Sequence, residues 1–213
     1  MQDIILFGMQ GSGKGTQARI LAEKFGYTIF ETGGQLRKLA AEDSPLGQKV
    51  KAITTAGKLV DNAIVMEIVA NFLANFGKSE KAIFDGIPRS EAQRVSLEAE
   101  FAKVQRKPVA VYIKIPREEA LRRLLGRKTC AGCGQIFGAK DNSDALEKCP
   151  LCGGELKIRA DDTAEAIETR LDVYEKETLP AIGRYREEGR LIEVDGMQGV
   201  GAVSAAIAAA LED

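Results

Sequence analysis

The chain has 213 residues, 45% of them hydrophobic, with thirty basic and thirty-one acidic side chains and a formal net charge of −1. It is long enough for one large domain or a domain with insertions, and its charge balance excludes a global field that would recruit nucleic acid or an anionic membrane. The absence of histidine removes the commonest general acid–base group and the commonest metal ligand, leaving Lys, Arg, Asp and a metal ion to carry any chemistry.

Met1-Gln2-Asp3 lacks the basic start of a signal peptide, and the first apolar run, Ile4-Ile5-Leu6-Phe7, is short. No stretch reaches the ~18 apolar residues of a membrane span, so a cytoplasmic protein is expected. The first run reads as a strand, followed by Gly8-Met9-Gln10-Gly11-Ser12-Gly13-Lys14-Gly15-Thr16 and a helix predicted from Lys14 to Phe25. Strand, glycine-rich turn and helix start make a phosphate cradle: backbone N–H groups turn inward, the helix start adds partial positive charge, and Lys14 brings an ammonium to the β- and γ-phosphates. A bare glycine-rich turn is the competing reading, and the strand–loop–helix context argues against it. The lack of histidine suits phosphoryl transfer, where the catalyst mainly positions groups and neutralises charge.

Tyr27 to Phe30 reads as a strand, and helical spacing follows over Gln35 to Ala41 and Leu46 to Thr55, broken by Asp43-Ser44-Pro45. Asp61 is expected to cap a helix reaching Gly77. Lys81 to Gly86 reads as a buried strand ending in the carboxylate of Asp85, a place where P-loop proteins hold a metal ion or its water. Ser90 to Phe101 is predicted helical, Val109 to Ile115 is a strand stopped by Pro116, and Glu118 to Arg127 is a helix that puts Arg123 and Arg127 four apart on one face. A long helix is predicted from Thr163 to Glu188, capped by Asp162 with Glu165 completing a capping box and kinked at Pro180. Leu191 to Val194 is a last strand and Val203 to Leu211 a last helix. Five strands alternating with helices predict an α/β P-loop NTPase fold, a parallel sheet with helices on both faces, and the ligand at the carboxyl ends of the strands.

Cys130-Ala131-Gly132-Cys133 and Cys149-Pro150-Leu151-Cys152 give C-x2-C-x15-C-x2-C, the spacing of a four-thiolate zinc site on two turns. Two disulfides are the competing reading, disfavoured in a reducing compartment. Four thiolates fill the shell, so the zinc would be structural. The segment could instead be a nucleic-acid ribbon, but Lys128, Lys140, Lys148, Lys157 and Arg159 are offset by Asp141, Asp144, Glu147 and Glu155, and Phe137 is its sole aromatic.

Gly13-Lys14-Gly15-Thr16-Gln17 sets the hydroxyl one place later than the usual P-loop, and in this it resembles the adenylate kinase family. Thr32-Gly33-x-x-Leu36-Arg37 resembles the family's T-G-D-x-L-R, and Gly57-Lys58-Leu59-Val60 its G-K-L-V. Asp85-Gly86-Ile87-Pro88-Arg89 with Gln93 is similar to D-G-F-P-R and its later glutamine. Arg123 and Arg127 match two arginines before a lid, while Arg159-x-Asp161-Asp162 and Arg170 match those after it. Any one of these arginines alone reads as a solvated helix face; six in motif register do not.

The resemblance implies reversible phosphoryl transfer from Mg-ATP to AMP, giving two ADP. It implies a core of residues 1–31, 62–127 and 161–213, a helical NMP-binding insertion at 32–61 and a zinc-binding lid at 128–160, both closing before chemistry to exclude water. Gly11, Ser12, Gly13, Lys14, Gly15, Thr16, Arg123, Arg127 and Gln198 would bind ATP. Thr32, Gly33, Arg37, Lys58, Val60, Gly86, Arg89, Gln93, Arg159 and Arg170 would bind AMP. Lys14, Arg89, Arg123, Arg127, Arg159 and Arg170 would be catalytic, and Thr16 and Asp85 would touch magnesium directly or through water. Arg123 would also stack on the ATP base. Nucleotides are the partners implied, with neither nucleic acid nor membrane, and a monomer is the default expectation. A kinase for another nucleoside monophosphate such as UMP or CMP, and a non-catalytic P-loop nucleotide-binding protein, stay open beside this reading.

Two departures stand out. Met9-Gln10 replaces the usual small residue and proline, which is expected to loosen the loop. Gly34 replaces the aspartate of T-G-D, leaving Asp85 with more of the work of ordering magnesium's water, so Gly34→Asp is expected to lower the magnesium needed for half-maximal rate.

Overall fold

The computed structural model describes residues 2–77, 79–138, 146–159 and 162–212; Lys140, Asp141, Asp144 and Asp161 from the sequence reading lie outside them. In chain order the elements are β1 Ile4–Phe7, α1 Lys14–Phe25, β2 Thr28–Glu31, α2 Thr32–Ala40, α3 Pro45–Thr55, α4 Asn62–Ala74, β3 Ala82–Asp85, α5 Glu91–Lys103, β4 Val109–Lys114 and α6 Arg117–Leu125. Then come β5 Lys128–Cys130, β6 Ile136–Phe137, β7 Leu156–Lys157, α7 Ala164–Val173, a π-helical turn Tyr174–Thr178, α8 Leu179–Glu187, β8 Leu191–Asp195 and α9 Val200–Glu212.

Five strands form one parallel sheet in the order β2-β3-β1-β4-β8. Every residue of β1 and β3 is buried, as expected of apolar runs covered on both faces. One face is packed by an aromatic cluster in which the Phe84 ring meets Phe101 edge-on at 4.9 Å and Phe30 at 5.5 Å. The other face holds Leu6, Leu21, Ile83, Ile113 and Ile207. Strand order reverses about β1, so the glycine-rich loop that follows it opens into the crevice at the carboxyl edge of the sheet.

The opposite, amino edge is fastened by a buried pair. Asp3 accepts 2.9 and 2.8 Å bonds from one Arg106 nitrogen and a 2.8 Å bond from the Ala82 N–H, while Arg106 also reaches the carbonyls of Gly77 and Glu80. β1, β3 and the approach to β4 are thereby tied together.

Several local expectations are corrected. Helix α2 starts directly at Thr32, where β2 ends, and α4 stops at Ala74 rather than Gly77. Helix α6 ends at Leu125, so Arg127 lies beyond it and does not share a helix face with Arg123. The cap of α7 is Thr163, whose hydroxyl accepts from the Ala166 N–H, because the Asp162 carboxylate is occupied by arginines. The long helix is interrupted at Tyr174–Thr178 by a wider turn ahead of Pro180, whose ring would clash with the carbonyl four residues earlier in a regular helix. Its expected inward side chains Ile167, Leu171, Tyr174, Ile182 and Tyr185 are all buried. Helix α9 begins at Val200, three places before the expected Val203.

The cysteine segment forms a separate three-stranded antiparallel sheet, β6-β5-β7, over a small cluster of Cys130, Phe137 and Cys149. Phe137 is turned into that cluster and is not offered to a nucleic-acid base. No helix among the described residues is long and apolar enough to cross a membrane.

Candidate active site

The loop after β1 takes its shape from glycine. Gly13 sits at φ +98° at the start of α1, and no side chain caps that helix, so its first N–H groups face into the loop. A Cβ at Gly8 would lie 2.4 Å from Ser12 Oγ and 2.7 Å from the Ile113 carbonyl, so only glycine fits there. The Lys14 ammonium folds back on the loop, donating to the carbonyls of Gly8 at 2.6 Å and Met9 at 3.1 Å. Desolvation pulls its pKa down to about 8 against the opposing field of Asp85, with Arg89 and Arg127 pushing the same way as burial. Thr16 lies in the first turn of α1, half-buried.

Asp85 ends β3 beside this loop, its Oδ2 3.7 Å from where a Cβ at Gly15 would stand. It is 9% exposed, and among the described residues its carboxylate has no hydrogen-bond or ion-pair partner. Burial raises its pKa, Lys14 opposes, and Glu31 adds to the rise. A buried anion without a donor is the kind of ligand that fits a hydrated cation.

The arginines assemble from separate elements. Arg89 Nε donates to the Gly86 carbonyl at 2.9 Å, its N–H donates to Gln93 Oε1 at 2.8 Å, and its carbonyl accepts from Thr178 Oγ1 at 2.9 Å. Burial lowers its pKa, Asp85 opposes, and the positive fields of Arg170, Arg37 and Arg159 add to the fall. For Arg127 burial lowers the pKa, Asp162 opposes, and Arg159 and Arg170 again act as near cations. Arg89 therefore lies in the fields of Arg37, Arg159 and Arg170, Arg127 in those of Arg159 and Arg170, and Lys14 in those of Arg89 and Arg127, with Asp85 beside Lys14, Arg89 and Arg37. Arg127 and Arg170 share the Asp162 carboxylate, at 2.6 and 2.8 Å to the same oxygen, in a group where Asp162 is 1% exposed.

Arg123 stands apart from this group. It is held by Glu119 at 2.6 Å and donates to the carbonyls of Gly11 at 3.3 Å and Gly196 at 3.1 Å, which seats it between the phosphate loop and the turn after β8. Gln198 is exposed in that turn. On the other side, Thr32 is buried with its Oγ1 unpartnered, Lys58 is exposed, Val60 is buried, and Gly57 touches α7 so closely that a Cβ would meet the Ala166 carbonyl at 2.6 Å. Gly33 and Gly86 leave room for guanidiniums: a Cβ at either would come within 3.0 Å of a nitrogen of Arg37 or Arg89 respectively.

Two acidic residues had escaped the sequence reading or were given another part. Glu31 holds Arg37 at 2.7 Å and lies over Gly34, so the space at that glycine is not empty of carboxylate. Glu31 is the strand-end residue before Thr32-Gly33, and only the β2–β3 register, pairing Glu31 with Asp85, marks it. Asp162 belongs to the arginine group and not to a helix cap.

In the small sheet, the four Sγ atoms of Cys130, Cys133, Cys149 and Cys152 lie within 4.8 Å of one another, with all four thiols free. The N–H groups of Gly132 and Cys133 point at Cys130 Sγ at 3.3 and 3.4 Å, and the bond from Cys133 leads in bringing that thiol down to about 6. Sulfurs clustered and donor-supported in this way fit a four-coordinate thiophilic metal.

The family model described as "Adenylate kinase" matches residues 6–190. The adenylate kinase of Syntrophotalea carbinolica is 38% identical over 210 residues, covering 98% of this chain and 97% of that protein. Those of Magnetococcus marinus and Clostridium beijerinckii are each 39% identical over 202 residues, covering 94% of this chain and 95% and 94% of theirs.

Proposed function

The chain belongs to the adenylate kinase family, and from that membership we propose that it catalyses reversible transfer of the terminal phosphoryl group of magnesium ATP to AMP, giving two ADP. The observation that carries this reading is the meeting of Lys14, Asp85 and five arginines from distant parts of the chain at the carboxyl edge of the sheet.

In this reading Gly11 to Thr16 cradle the ATP phosphates, and Lys14 leaves its two loop carbonyls for them. Arg123 supports the base side with Gln198 nearby in sequence to Gly196. Arg37 and Arg89 grip the AMP phosphate with planar, many-donor groups, and Gln93, its oxygen already engaged by Arg89, turns its amide N–H groups to the base. Thr32, Gly33, Gly86 and the Lys58–Val60 turn line the acceptor pocket. Arg127, Arg159 and Arg170 neutralise charge that spreads over the travelling phosphoryl group, each contributing on the order of 3 kcal/mol to the transition state. Thr16 and Asp85 are the groups that would hold magnesium brought with ATP, directly or through water, and the ion would supply positive charge to offset that of the phosphates.

Residues 32–61 act as the AMP-side lobe and 128–160 as the ATP-side lid, around a core of 1–31, 62–127 and 161–213. Zinc is the metal we assign to the four thiols, in a closed structural shell. The protein works as a cytoplasmic monomer on free nucleotides. Incubating it with magnesium ATP and, singly, AMP, GMP, CMP or UMP tests the assignment: ADP is expected to form fastest with AMP. A preference for UMP or CMP would move it to another monophosphate kinase, and no ADP with any of them would refute phosphoryl transfer.

A further inference from the structure

We propose that Glu31 supplies the acidic group that position 34 lacks, and that with Asp85 it orders the hydration shell of the magnesium accompanying ATP. The proposal rests on the phosphotransfer reading above. Glu31 ends β2 and Asp85 ends β3, and the two are register partners in the parallel sheet, so their side chains leave the same face at the same level. Glu31 Oε2 lies 3.2 Å from the position a Cβ at residue 34 would take, and its Cδ lies 3.4 Å away. The carboxylate thus projects from the strand end into space that a side chain on α2 would otherwise fill.

A second observation points to a cation there. Asp85 is nine-tenths buried with no hydrogen-bond or ion-pair partner among the described residues, and the three cations in its field are bonded to other groups: Lys14 to two loop carbonyls, Arg89 to the Gly86 carbonyl and Arg37 to Glu31. The negative charge of Glu31 adds to the burial that favours a cation at Asp85, and magnesium keeps several waters that such carboxylates hold from outside. Glu31 is lent to Arg37 in the meantime. That pair is 44% and 52% exposed, so it is weak, and a phosphate arriving on Arg37 displaces it. The arrival of the acceptor phosphate would then release Glu31 toward the metal's water.

Manganese, which takes the same oxygen ligands, reports this without turnover. Its affinity for the protein carrying a non-hydrolysable ATP analogue and AMP is measured by electron paramagnetic resonance, alongside calorimetry of the analogue without metal. Glu31→Gln is expected to weaken manganese about tenfold while leaving metal-free analogue affinity as it was. Against the expectation from the sequence, Gly34→Asp alone is expected to gain nothing, because the Glu31 carboxylate already fills the space beside it, and Glu31→Ser combined with Gly34→Asp is expected to restore the lost affinity. Unchanged manganese affinity in Glu31→Gln, a change confined to AMP affinity, or failure of the double variant to restore binding would each overturn the proposal. If the wild-type protein does not bind the analogue even without metal, the phosphotransfer reading falls with it, and the calorimetry shows which has failed.

Discussion

The charge of Lys14 depends on pH, because burial has brought its pKa to about 8 while the phosphates it is proposed to meet favour the protonated form. Binding ATP raises that pKa, so protons are taken up on binding near pH 8 and affinity falls as pH climbs through it. Calorimetry in two buffers of different ionisation enthalpy measures the uptake; heats that do not depend on buffer would contradict it. Asp162 is the other residue with a sharp forecast. Its carboxylate is 1% exposed and shared by Arg127 and Arg170, so Asp162→Ala is expected to cost about 3 kcal/mol in urea unfolding and to lower the rate together with stability. A variant as stable as the wild type would show that the arginines find equal partners elsewhere.

Among the elements, α7 separates capping from charge pairing. Thr163→Ala removes a hydroxyl that accepts from the Ala166 N–H at 3.2 Å and is expected to cost about 1 kcal/mol in the same unfolding assay with turnover intact. The sequence suggested Asp162 for that duty because both residues are good caps; a local pattern does not say that two distant guanidiniums have a prior claim. The small sheet β6-β5-β7 is expected to depend on a metal held by its four thiols, since among the described residues its buried cluster is only Cys130, Phe137 and Cys149 with Leu146 and Leu156 against it. Chelation under reducing conditions is expected to release metal and melt that sheet below the rest of the molecule, followed by amide exchange; protection unchanged after chelation would mean the fold does not need the ion.

Across the whole molecule, the strands and the phosphate loop were legible because fully buried parallel strands write themselves as apolar runs and the loop as closely spaced glycines. What stayed hidden was set by register between segments far apart in the chain. Glu31 gains meaning only beside Asp85, and Asp162 only through the Arg127 and Arg170 it holds. If 32–61 and 128–160 close over their ligands, the radius of gyration in solution scattering falls when AMP and a non-hydrolysable ATP analogue are added together; an identical profile would argue for a cleft that is already shut. Asp3 and Arg106, finally, clamp the edge of the sheet farthest from the phosphates. Inherited changes at that end are expected to alter heat tolerance and spare the chemistry, which would give a lineage entering a warmer or colder habitat a place to adjust its margin of folding without rewriting what the protein reacts with.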